Sequence, residues 1–195
     1  MEPIDVLRKH FGYETFRKPQ EAVIRRVLAG EHVLVIMPTG QGKSLCYQIP
    51  ALMPLTTKVE SGERVPLTLV LSPLIALMKD QVDSLVARGI EATFINSSLS
   101  RSEREQRYAA VANGKYRLLY VTPERFRKSE FVEALGRRDV RLLAVDEAHC
   151  ISEWGHDFRP DYTRLKELRE QIGQPTTIAL TATATADVQI DIIRQ

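Results

Sequence analysis

Short, nearly continuous apolar runs recur along the chain at residues 33–36, 67–71, 92–95, 118–121, 142–145 and 177–180. They do not alternate between apolar and polar positions, which is the pattern of strands covered on both faces in a parallel sheet. The stretches between them have helical character, at about 18–29, 43–53, 74–88, 101–113, 124–135 and 161–171. In 18–29, Ala22, Val23, Val27 and Leu28 fall on one stripe, as a helix lying on a sheet requires. Strand–helix alternation of this kind predicts a doubly wound α/β domain, with ligands at the carboxyl ends of the strands. Residues 56–66 are polar, contain Gly62 and Pro66, and read as a surface loop. Residues 184–195 read as a helix without a stop signal, so the chain is expected to be part of a longer one.

Composition narrows the classes without choosing among them. The chain has 195 residues, enough for one domain with a sizeable core, and its hydrophobic fraction of 44% and charged fraction of 27% are ordinary. A net charge of +2 excludes a bulk polycation, so any basic surface must come from local arrangement. Cys46 and Cys150 lie far apart without metal-ligand spacing, which argues against a disulfide framework and fits a reducing compartment. No apolar run approaches the roughly 20 residues of a membrane span, and no signal-peptide core opens the chain.

The strongest chemical signal is Pro38-Thr39-Gly40-Gln41-Gly42-Lys43-Ser44, placed directly between a strand and a helix. Glycines let the backbone turn its N–H groups toward phosphate oxygens, and the helix start adds its dipole. Lys43 is then expected to reach the β- and γ-phosphates, with the Ser44 hydroxyl on Mg²⁺. Met37 stands where the strict form of this loop has glycine. A second signal is Asp146-Glu147-Ala148-His149, at the end of the run 142–145. A carboxylate at the end of a buried strand is costly without a facing cation, so Asp146 is expected to hold the metal and Glu147 to activate water. Read apart from the phosphate loop, the same two acids could equally cap the next helix.

These segments, taken with Ser72-Pro73-Leu74, Thr122-Pro123-Glu124 and Thr181-Ala182-Thr183-Ala184, follow one another as in the first motor domain of superfamily 2 helicases. Three further segments resemble RecQ-family DNA helicases: residues 11–20, Leu45-Cys46-Tyr47-Gln48-Ile49-Pro50, and Ser152-Glu153-Trp154-Gly155-His156-Asp157-Phe158-Arg159-Pro160. The resemblance implies a RecA-like fold with a mostly parallel sheet and helices on both faces, using ATP and Mg²⁺. It implies that Tyr13 stacks on adenine, Gln20 hydrogen-bonds its edge and Arg17 helps to hold the nucleotide. It further implies that Trp154, His156, Phe158 and Arg159 couple single-stranded DNA to hydrolysis, and that His149 contacts Thr181 or Thr183. Residues 72–81, Thr122 and Arg125 would line the nucleic-acid path.

The implied activity is 3′–5′ unwinding of duplex DNA in repair and recombination, with a second RecA-like domain of the same chain as partner. The setting would be cytoplasmic in a bacterium and nuclear in a eukaryote, with no membrane. Residues 1–195 alone are expected to bind ATP weakly and to unwind nothing. Two rival readings are an RNA-dependent or remodelling ATPase of the same superfamily and a P-loop nucleotide switch. The aromatics at 154 and 158 could instead pack in the core, as such residues usually do.

Overall fold

The computed structural model describes residues 1–54 and 64–195. Most of the 56–66 loop expectation therefore lies outside the described residues, while Pro66 opens a strand. Six strands, β1 (Val33–Ile36), β2 (Pro66–Leu71), β3 (Ala92–Ile95), β4 (Leu118–Val121), β5 (Asp139–Val145) and β6 (Thr176–Thr181), form one sheet in the order β1-β6-β5-β2-β4-β3. Every pairing is parallel. The pairing of β2 with β5 shifts register between Leu67 and Thr68, which skips Arg141, and β5 begins three residues before the apolar run at 142.

Side chains of successive strand residues point to opposite faces, and both faces are covered. On one side pack α1 (Pro3–Val6, continued by a wider turn over Leu7–Phe11), α2 (Gln20–Leu28), α3 (Leu45–Ala51) and α4 (Ile75–Ala87). On the other pack α5 (Arg101–Ala112), α6 (Ser129–Gly136), α7 (Leu165–Gln171) and α8 (Ala186–Arg194). In α2 the stripe is Val23, Ile24 and Val27, all buried, each contributing roughly 1.5–3 kcal/mol on burial. Exposed Arg25 and Arg26 on the opposite face pair with Glu21 and Glu31.

The expected helices at 124–135 and 161–171 each divide into a tight 3₁₀ turn, Pro123–Arg127 and Pro160–Arg164, followed by a short α-helix. A proline at the first position starts each turn, because it has no N–H to donate to an upstream carbonyl and none is needed there. Among the described residues no helix is long and apolar enough to cross a membrane.

Strand order brings the signals together. The phosphate loop leaves β1, Thr181 ends β6, Asp146 follows β5, Ser72 follows β2 and Thr122 follows β4. All lie at the carboxyl end of one parallel sheet, where α/β folds bind their ligands. The sheet thus has a nucleotide half at β1, β6 and β5 and a second half at β2, β4 and β3.

Candidate functional site

The phosphate loop is held by its own backbone demands and by residues 13–20. Gly40 (φ 82°) and Gly42 (φ 78°) occupy the left-handed region that side chains disfavour. A Cβ on Gly42 would also sit 2.4 Å from Gln20 Nε2. Gln20, 2% exposed, donates from Nε2 to Gly42 O at 3.0 Å and Gln41 O at 3.3 Å, and its Oε1 accepts from Arg17 N at 2.8 Å. Arg17 Nη1 donates to Gly40 O at 3.1 Å. The segment expected to meet adenine therefore braces the loop directly, and Gln20 reaches a base only by exchanging these bonds. Tyr13 is 51% exposed and shares a groove of about 280 Å³ with Phe11, Gly42, Ser44 and Leu45. Lys43 Nζ donates to Met37 O at 3.0 Å, crossing the loop from inside, while Thr39 and Gln41 face solvent.

Asp146 stands at the next-but-one strand end, with Asp146 N donating to Leu71 O at 2.8 Å. Burial, and then the charge of Glu147, push its carboxyl up from 3.8 to about 6, against the attraction of Lys43. Its Oδ1 accepts Glu147 N at 3.0 Å. Among the described residues no cationic side chain forms an ion pair with it. Glu147 adopts φ 51°, ψ 46°, a left-handed conformation that costs a non-glycine residue energy and recurs at active sites.

His149 links this carboxylate end to β6. Thr181 Oγ1 donates its one proton to Thr183 O at 3.0 Å, so across the 2.9 Å contact His149 Nδ1 is the donor. Both threonines named in the sequence reading take part, one of them through its backbone. Burial lowers the His149 pKa, and the ring stacks on His156 at 4.2 Å.

The loop after His149 is shaped for display. Trp154 is 78% exposed, which removes the core-packing alternative for it, while Phe158 is half-buried. Gly155 is mandatory, since a Cβ there would lie 2.4 Å from His149 O. Ser152 Oγ donates to Asp191 Oδ2 of α8 at 2.6 Å and accepts Trp154 N at 3.2 Å, fixing the base of the loop. Arg159 pairs with Asp157 at 3.2 Å. His149, Cys150 and Asp157 bring donor atoms within 4.8 Å of one another, yet Arg159 holds the carboxylate, and burial pushes the Cys150 thiol up to about 12. Cys46 is likewise pushed up to about 12 by burial, so neither thiol offers thiolate chemistry.

On the other half of the sheet, Lys79 is an exposed helix-face cation paired with Asp83. Arg125 is not of that kind: it is 9% exposed, and its Nε has no partner.

The family described as DEAD/DEAH box helicase matches residues 17–191. The chain belongs to that family. Among similar curated proteins are the ATP-dependent DNA helicases RecQ of Haemophilus influenzae (50% identical over 98% of this chain) and of Bacillus subtilis (50% over 97%). The ATP-dependent DNA helicase Q5 of Mus musculus is 47% identical over 95% of this chain. The chain spans 29% of the Haemophilus protein, 31% of the Bacillus protein and 19% of the mouse protein.

Solved structures share the fold. The DUF1998 helicase MrfA bound to DNA and AMPPNP matches with TM-score 0.71 at 19% identity, over 100% of this chain and 28% of that one. Helicase Lhr of Mycobacterium smegmatis, bound to single-stranded DNA and AMP-PNP, matches with TM-score 0.71 at 22% identity, over 100% of this chain and 27% of that one.

Three features of this helicase domain were not anticipated from its residues. The bracing of the phosphate loop by Gln20 leaves no trace in spacing. The left-handed Glu147 has no local signal, because glutamate is not a turn residue. Asp191 carries no signal of its own in the sequence, and only the packing of α8 shows that it anchors the loop at 152.

Proposed function

We propose that this chain is the ATP-binding motor domain of a 3′–5′ RecQ-like DNA helicase that couples ATP hydrolysis to movement on single-stranded DNA and to duplex unwinding. DNA repair and recombination are the processes such an enzyme serves, in the cytoplasm of a bacterium or the nucleus of a eukaryote. The observation that carries the reading is the continuity from phosphate loop to exposed tryptophan. Lys43 follows β1, and Asp146, Glu147, His149 and Trp154 follow β5; β6 lies between, and its last residue Thr181 joins the two through the His149–Thr181 bond.

The residues fit a nucleotide with a divalent cation. Asp146 is a half-buried acid without an ion-pair partner among the described residues, raised to about 6, and a cation on Asp146 and Ser44 would relieve that cost. Bound Mg²⁺ would neutralise charge building on the phosphates. Lys43 binds the β- and γ-phosphates, and Thr39, Gly40, Gln41 and Gly42 cradle them. Tyr13 offers its exposed ring to the base, with Arg17 and Gln20 beside it. Glu147, set by its own backbone, orients the attacking water and accepts its proton. A second RecA-like domain of the same chain supplies the arginine finger, worth on the order of 10³–10⁵ in rate. Residues 1–195 alone therefore unwind nothing.

Bases stack on Trp154 and Phe158. Movement of this loop reaches Glu147 through His149, five residues before the tryptophan. The test is ATP hydrolysis by the full-length protein with single-stranded DNA, with RNA and with neither. Strong stimulation by DNA, lost in Trp154→Ala with ATP binding kept, is the expected result. Equal stimulation by RNA would favour the rival RNA-dependent ATPase, and no stimulation by either would overturn the motor reading.

A further inference from the structure

A chain of polar side chains crosses the otherwise apolar layer between the sheet and α3. Tyr47 and Tyr120, 1% and 2% exposed, meet hydroxyl to hydroxyl at 3.3 Å with their rings edge to face. Gln48, 6% exposed, donates from Nε2 to Tyr120 Oη at 3.2 Å and to Gln81 Oε1 at 3.0 Å. At the other end the link to Ser44 is through the backbone: its carbonyl accepts Tyr47 N at 3.2 Å and Gln48 N at 2.9 Å. The side-chain bonds then run Tyr47, Tyr120, Gln48, Gln81. Together they join the start of α3 in the phosphate loop to β4, which leads into Thr122 and Arg125, and to α4, which carries Lys79.

Packing alone does not call for these groups. Phenylalanine and leucine would fill the same space, and replacing both partners of a buried hydrogen bond with apolar groups is nearly neutral. Tyr47 and Gln48 leave the helical turn whose first carbonyl is that of Ser44, so a shift of Ser44 on meeting a phosphate or cation displaces both side chains together and is passed through their bonds to Tyr120 and Gln81.

We infer that Tyr47, Gln48 and Tyr120 are positioning residues that transmit nucleotide occupancy at Ser44 to α4 and the end of β4, and thereby set the affinity for DNA. The inference rests on the motor reading above. Its test is the Kd of a fluorescent single-stranded oligonucleotide for the full-length protein, with and without a non-hydrolysable ATP analogue and Mg²⁺.

In the unaltered protein the analogue is expected to change this Kd by about fivefold or more. Tyr120→Phe is expected to reduce that ratio to below about twofold, with the analogue-free Kd and the DNA-free affinity for the analogue within about twofold of their original values. Gln48→Leu, which removes the other central link, is expected to do the same, and the double variant to do no more than either alone. An unchanged ratio in both single variants overturns the inference, whatever happens to their unfolding temperatures. An unaltered protein whose DNA affinity ignores the analogue, and whose hydrolysis ignores DNA, overturns the motor reading instead.

Discussion

The two ends of the same sheet each withdraw a charge from water, wholly at one end and in part at the other, and they treat it in opposite ways. At the amino end Arg138 is 3% exposed and gives its guanidinium to four backbone carbonyls: Val65 at 3.0 Å, Val111 at 3.0 Å, Pro66 at 2.9 Å and Tyr116 at 2.5 Å. It closes the start of β2, the end of α5 and the approach to β4 in one set of bonds, although burial lowers its pKa. At the carboxyl end Asp146 accepts one backbone N–H and forms no ion pair among the described residues, and its carboxyl is raised to about 6. A buried charge whose bonds are complete is architecture. One left without its counter-charge, beside a strained Glu147 and two left-handed glycines, is a place prepared for a ligand.

The comparison can be broken most severely at Glu147. Glu147→Gln keeps shape and removes the base, so DNA-stimulated hydrolysis is expected to fall on the order of 10²–10⁴-fold with ATP binding intact, measured by steady-state turnover against nucleotide titration. Arg138→Met removes the complete set of bonds at the other end. Urea unfolding is expected to show a loss on the order of 2–3 kcal/mol, because four backbone bonds are lost at once and the Val111 carbonyl is left buried without its side-chain donor; a loss under about 0.5 kcal/mol would remove Arg138 from the architecture.

Asp146→Asn should act in the opposite direction to Arg138→Met. The carboxyl lies at about 6 in the fold against 3.8 unfolded. The folded state therefore binds this proton more tightly, and stability from this group falls as pH rises through that window and stays lost above it. At pH 7.5 without nucleotide the substitution is expected to stabilise by on the order of 2 kcal/mol while abolishing hydrolysis, and the gain should vanish near pH 4. Thermal unfolding at the two pH values decides it.

Gly155→Ala forces the loop away from His149 O, so DNA stimulation should fall about tenfold with a stability loss of about 1–2 kcal/mol. Trp154→Ala, at the exposed tip, should lose similar stimulation with a stability change within about 0.5 kcal/mol. A larger loss of stability would place Trp154 in the architecture.

Much of this was legible in the residues. The runs at 33–36, 92–95 and 118–121 match their strands end to end, because strands covered on both faces carry an uninterrupted apolar signal. The start of β5 was missed because Asp139 and Arg141 form their own ion pair at the strand edge and break that signal. The phosphate loop and the pair Asp146-Glu147 were legible because their chemistry needs fixed residue types at fixed local spacing. Arg138 was not, since an arginine beside Arg137 reads as a solvated pair until carbonyls distant in sequence are known to converge on it.

What the order of residues settled here is local: where the chain extends, where it turns through glycine, and which short segments can meet phosphate, metal and base. What the tertiary structure decided is which of those segments are neighbours and how each polar atom is satisfied. Strand order alone sets Thr181 between the phosphate loop and Asp146. Packing alone turns Gln20 onto the loop, Trp154 out to solvent, and Tyr47, Gln48 and Tyr120 into one chain. The reason is that periodicity and spacing act within a few residues, whereas the partner of a buried polar group is chosen by whatever the fold brings within about 3 Å, from any distance along the chain.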